Sequence, residues 1–189
     1  MTDSSKRNLD QPPETANAAT KTGAQAVRRT EIPVVGIGAS AGGLAAFEAF
    51  LSGLPVDGDL GIAFVLVQHL APDHKSILSE ILRRSTRLQV MDIEEGMLVE
   101  PNVVYVIPPS YDLALNKGSF QLLEPASARG HRLPIDFFFR SLADSLQERA
   151  IGIILSGTGS DGSQGVRSIK EAGGMVMAQD SSSTDFDGM

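Results

Sequence analysis

Ser40, His69 and Asp161 are the residues whose types and placement could do chemistry together. A serine hydroxyl is a weak nucleophile until a base takes its proton. An imidazole titrates near neutrality, so it can take that proton and return it to a leaving group. A carboxylate can orient the imidazole and stabilise its charged form. Ser40 stands in PVVGIGASAGG (33–43), where small neighbours permit a tight strand-to-helix turn and let a substrate approach the backbone. The start of the following helix offers unpaired N–H groups that can hold an oxyanion. GASAG has the G-x-S-x-G spacing of a nucleophile elbow, a weak pattern by itself, and the competing reading makes Ser40 a helix N-cap. His69 ends an apolar run. Taken alone, a histidine there is more often structural, but of the three histidines His74 falls in the first turn of an exposed helix and His131 in a polar loop. Asp161 lies in the Gly-rich GTGSDG (157–162), which permits close approach. Its competing reading is a helix-start aspartate, and Asp180, past a later strand end, is the rival acid.

Positioning these groups requires strands that end side by side. PVVGIG (33–38), IAFVLVQ (62–68), VVYVIP (103–108), AIGIILS (150–156) and MVMA (175–178) read as short buried strands. Between them, Leu44, Phe47, Phe50, Leu51 and Leu54 recur at helical spacing, with Gly53 and Pro55 marking the end. A second helix begins at Pro72-Asp73 and buries Ile77, Leu78, Ile81 and Leu82. A third carries Ile135, Phe138, Phe139, Leu142 and Leu146, and a fourth Val166 and Ile169. DLALN and SFQLL flank Lys117-Gly118 as a hairpin. The alternation predicts an α/β fold: a doubly wound, mainly parallel, Rossmann-like sheet with helices on both faces and a small antiparallel hairpin. In such sheets ligands bind beyond the carboxyl ends of the strands, where all three candidate residues fall. Arg83, Arg84 and Arg87 are expected near a helix C-terminus, where positive charge complements the dipole; a patch for an acidic partner is the alternative. No helix follows the last strand, so one sheet face there is expected to lack cover, and Gln179 to Met189 reads as a polar tail.

Composition narrows the function. The 189 residues suit one domain, 42% of them are hydrophobic, and 23 acidic against 16 basic residues give a net charge of −7. Without a basic patch, nucleic acid is not an expected partner. The chain has no cysteine, which removes thiol catalysis and disulfides. No run approaches the ~18 apolar residues of a membrane span, and the N-terminus lacks a signal-peptide core; a cytoplasmic protein fits. Residues 1–31 show no apolar period and predict a disordered polar leader, with the folded domain over 32–189. Gly36 to Ala41 satisfies the G-x-G-x-x-A dinucleotide fingerprint, but the second strand ends Gln68-His69 without the acid that binds a ribose. A metal site on His69, Asp73 and His74 has no further clustered ligand.

The segments VVGIGASAGGLAAF, FVLVQHLAPDHKSILSEIL, HRLPIDFFFRSLA and IILSGTGSDGSQGVRSIKEAGGMVMAQD together resemble the catalytic domain of the chemotaxis protein-glutamate methylesterase (CheB) family, over roughly residues 33–189. The resemblance implies a Ser40–His69–Asp161 triad, hydrolysis of glutamyl methyl esters on chemoreceptors with release of methanol, glutamine deamidation in many members, and no metal or cofactor. It places the oxyanion hole at backbone N–H groups near Ala41 and the Thr158 loop. The family's usual methionine is Thr158 here, no receiver domain precedes the catalytic part, and family domains usually continue past the AQD…GM segment, so a domain truncated at its C-terminus is expected. The arrangement resembles the front module of hybrid proteins that carry a methyltransferase domain next. A catalytically silent interaction module of a bacterial signalling complex is the alternative function, and nucleotide binding the third.

Overall fold

The computed structural model describes residues 32–55, 59–68, 77–125 and 132–189. Ten strands are present among these residues: β1 (Val34–Ala39), β2 (Ala63–Gln68), β3 (Gln89–Asp92), β4 (Val103–Val106), β5 (Asp112–Asn116), β6 (Ser119–Leu123), β7 (Ala150–Ile154), β8 (Gly157–Thr158), β9 (Met175–Ala178) and β10 (Asp187–Gly188). Four helices accompany them: α1 (Gly43–Ser52), α2 (Ile77–Leu82), α3 (Pro134–Leu146) and α4 (Ser163–Glu171).

Six strands form a parallel sheet in the order β3-β4-β2-β1-β7-β9. The central strands are apolar on both sides because both faces are covered: every residue of β1 is buried. Helices α3 and α4 cover one face, with Ile135, Phe138, Phe139 and Leu142 fully buried against β1, β2 and β7. Each such side chain contributes about 1.5–3 kcal/mol by leaving water. Gly38 lets α3 approach, since a Cβ there would stand 2.5 Å from Ile135 Cγ2. Helices α1 and α2 cover the other face through Phe47, Leu51, Leu78 and Leu82. Strands β5 and β6 form the antiparallel hairpin about Lys117 (φ 50) and Gly118 (φ 78). The doubly wound parallel sheet with its antiparallel hairpin is thus the architecture the sequence predicts.

Three features refine that expectation. Met175 and Met177 of the edge strand β9 are 57% and 45% exposed, in keeping with a face that no described helix covers. Helix α2 ends at Leu82, so Arg83, Arg84 and Arg87 lie beyond it rather than in its last turn; the Arg83 Nε donates to the Val90 carbonyl at 3.4 Å. Residues 179–189 are not merely a tail. They form a 3-10 turn (Ser181–Ser183) and then β10, which pairs in parallel with β8 through Asp187↔Gly157 and Gly188↔Thr158.

Candidate active site

From β1 the chain passes to β2, skips to the edge strand β3, returns to β4 between them, and then crosses to the other side of β1 to form β7 and β9. The direction of winding therefore reverses between β1 and β7, and the carboxyl ends of these two strands flank the crevice where open sheets bind ligands. Ser40 follows β1 directly, and Asp161 lies in the loop after β7.

Ser40 is half-buried. Its N–H donates to the Ser156 carbonyl at 3.0 Å, one step beyond the β1–β7 pairing, where Leu155 N–H donates to Gly38 O at 2.9 Å. Its own carbonyl accepts from Gly43 N–H at 2.9 Å and faces the Gln68 Nε2 at 3.4 Å. The turn is thus tied on both sides to neighbouring strands. Helix α1 begins at Gly43, with Gly42 as N-cap at φ 72 and no side-chain cap. The alternative reading of Ser40 as N-cap does not hold: its hydroxyl stands two residues ahead of the cap position. Gln68 also fills the space at Gly43, where a Cβ would meet its Nε2 at 2.9 Å. That packing at the first helical turn weighs against the dinucleotide reading, which needs the backbone there open to a pyrophosphate.

Asp161 is 8% exposed, and both of its carboxylate oxygens are used. Oδ2 accepts from Ile135 N–H at 3.1 Å and Oδ1 from Asp136 N–H at 2.9 Å. The aspartate stands just ahead of α4, as the helix-start reading expects, yet it caps the first turn of α3 instead. The rival acid takes a local role. Asp180 is exposed, and its Oδ1 accepts from Ser182 Oγ at 2.5 Å and Ser182 N–H at 2.9 Å, which holds its carboxyl below the usual aspartate range.

Strand β2 ends at Gln68, in register with Ala39, so the described chain stops one residue before His69. His69, Asp73, His74 and His131 lie outside the described residues. Of the two proposed oxyanion positions, Ala41 follows the serine and its carbonyl accepts from Ser156 Oγ at 2.8 Å. Thr158 is exposed in β8. The residue before it lies against the serine: a Cβ at Gly157 would stand 3.0 Å from Ser40 Cβ and would overlap the Met189 thioether.

Sequence reasoning did not single out Ser156 or the returning C-terminal segment. Ser156 is 4% exposed, its carbonyl and hydroxyl hold residues 40 and 41, and its hydroxyl accepts from Thr184 Oγ1 at 2.8 Å. Phe186 O accepts from Gly157 N–H at 2.9 Å. A cavity of about 190 Å³ lies between α1 and this segment, lined by Gly42, Ala45, Ala49, Ser156, Thr184 and Phe186 among others. A serine after a strand carries no sequence signal that distinguishes such a tie from an ordinary loop residue.

The family model described as CheB methylesterase matches residues 35–189. The protein-glutamate methylesterase/protein-glutamine glutaminase 4 of Anaeromyxobacter dehalogenans is 36% identical over 169 residues, covering 87% of this chain and 47% of that protein. The chain therefore spans about half the length of that relative. An uncharacterized 104.1 kDa protein of Rhodobacter capsulatus is 40% identical over 112 residues, 59% of this chain and 12% of that protein. The crystal structure of the Thermotoga maritima CheB methylesterase catalytic domain matches with a TM-score of 0.75 at 28% identity, covering 83% of this chain and 84% of that one.

Proposed function

This chain belongs to the CheB methylesterase family, and on that premise we propose that its protein is a protein-glutamate methylesterase working by a Ser40–His69–Asp161 mechanism. Ser40 attacks the carbonyl of a glutamyl methyl ester while His69 takes its proton. His69 then delivers that proton to the departing methoxide, and methanol leaves. Water, activated by the same imidazole, cleaves the acyl-enzyme and restores serine and glutamate. Glutamine at the same site loses ammonia by the same steps. Backbone N–H groups at Ala41 and in the Thr158 loop serve as the oxyanion hole, aided by the positive end of α1.

The observation that carries this reading is that Ser40, tied at the end of β1, and a buried aspartate in the loop beyond β7 both follow the strands that flank the switch point of the sheet. The substrates in this reading are methylated chemoreceptors or related cytoplasmic signalling proteins. A methyltransferase domain is the further partner it implies. Methanol release from methylated receptor by the full protein, measured against Ser40→Ala, tests the proposal. Release that vanishes in the variant supports it. Release no greater than in the variant overturns it in favour of a silent interaction module.

A further inference from the structure

Helices α3 and α4 lock each other's first turns through a reciprocal pair of buried carboxylates. Asp161, ahead of α4, accepts the N–H groups of Ile135 and Asp136 at the start of α3. Asp136, in the first turn of α3, returns the arrangement: its Oδ1 accepts from Gly162 N–H at 3.0 Å and Gly165 N–H at 2.7 Å at the start of α4. Neither N-cap residue, Leu133 nor Gly162, supplies a side-chain cap of its own. The two helix starts therefore depend on one another for the donors that every helix leaves unpaired. Asp136 is 1% exposed, and among the described residues its carboxylate meets these donors at the positive end of α4. Close approach makes the lock possible, because a Cβ at Gly165 would stand 3.1 Å from Asp136 Cα.

We propose that Asp136 is the positioning residue of this active site: by anchoring Gly162 and Gly165 it fixes the backbone that carries Asp161, and so the direction from which that acid meets the catalytic imidazole. The proposal rests on the serine-hydrolase reading above. Gly162 follows Asp161 directly and has φ 102, a conformation that favours glycine, whose backbone without a Cβ does not hold the loop in one place by itself. Without the Asp136 carboxylate, two buried N–H groups lose their acceptor and the loop is free to re-form around another. The Asp161 carboxylate then leaves the imidazole, whose charged form loses its partner.

The test is the rate at which a fluorophosphonate labels Ser40 across pH, in the full-length protein. In wild type, labelling must depend on His69. Absence of labelling, or equal labelling in His69→Ala, overturns the hydrolase reading itself and this inference with it. Given His69-dependent labelling, Asp136→Ala is expected to slow it by about tenfold to a hundredfold. Its acid limb is expected to move to lower pH, because an imidazole without its carboxylate protonates less readily. Asp136→Asn, which keeps an acceptor oxygen in the Oδ1 position, is expected to restore the rate to within about threefold of wild type, since the donors it must hold are neutral amides. If Asp136→Ala does not fold, Asp136→Ser takes its place with the same expectation for rate and limb. A slower rate with an unmoved limb, a rate equal to wild type in the Ala or Ser variant, or no rescue by Asn overturns the assignment.

Discussion

Helix α1 and helices α3 and α4 begin at the same end of the sheet, yet their first turns are finished differently. Helix α1 starts from Gly42 with no side-chain cap, directly after the serine. Helices α3 and α4 are closed by Asp161 and Asp136 acting across the gap between them. A side-chain cap on α1 would place an oxygen among the N–H groups that an oxyanion needs, so the helix proposed to face the reacting carbonyl is the one left without it. Where a charged group must be held still instead, the orphan donors are spent on it. Three residues at this end separate the two uses.

The largest effect is expected at Asp161. Asp161→Ala removes the group proposed to orient His69, and a loss of about 10⁴-fold in methanol release follows from the triad mechanism. The same substitution strands the N–H groups of Ile135 and Asp136 in a buried setting, costing about 1–3 kcal/mol for each. Denaturant unfolding and turnover should therefore both fall; a large loss of turnover with unchanged stability would show that the α3 cap is dispensable.

An intermediate effect is expected at Gly42. Its φ of 72 disfavours a side chain, and a Cβ would meet Ser156 Oγ at 2.7 Å and Phe186 Cδ2 at 2.9 Å. Gly42→Ala should cost about 1–3 kcal/mol of stability by thermal unfolding. It should also lower the labelling of Ser40 by about tenfold through displacement of the turn. Labelling at the wild-type rate would show that the serine does not depend on this helix start.

The smallest effect is expected at Asp180, a cap that is fully exposed. Its carboxyl is held low by the hydroxyl and then the N–H of Ser182, so its contribution is present above the ordinary aspartate value of about 3.9 and is lost as pH falls through the folded value. Asp180→Asn should leave turnover unchanged. Any difference in melting temperature from wild type should appear near neutral pH and close as the pH is taken below about 4. A loss of turnover would return Asp180 to candidacy as the catalytic acid.

Much of this was legible in the residue order because it follows from local rules. Apolar runs of five or six residues separated by amphipathic helices specify a parallel sheet, and small residues around Ser40 specify a tight turn wherever the sheet lies. That Ser40 and Asp161 fall beyond strand ends follows from the same pattern. The sequence alone also placed Asp161 beside a helix start, since a Gly-rich loop followed by Val166 and Ile169 at helical spacing is a local signal. Which helix the carboxylate caps was decided only by tertiary structure: Ile135 is 26 residues away, and only the packing of α3 against α4 brings its N–H to Asp161. The same holds for Ser156, which reaches Ala41 over 115 residues, and for the segment after Gln179, whose polar composition reads as a tail until β10 pairs with β8. Periodicity reports how each element meets water, but a hydrogen bond between distant elements leaves no spacing to read, because its partners are chosen by the geometry of the assembled layers.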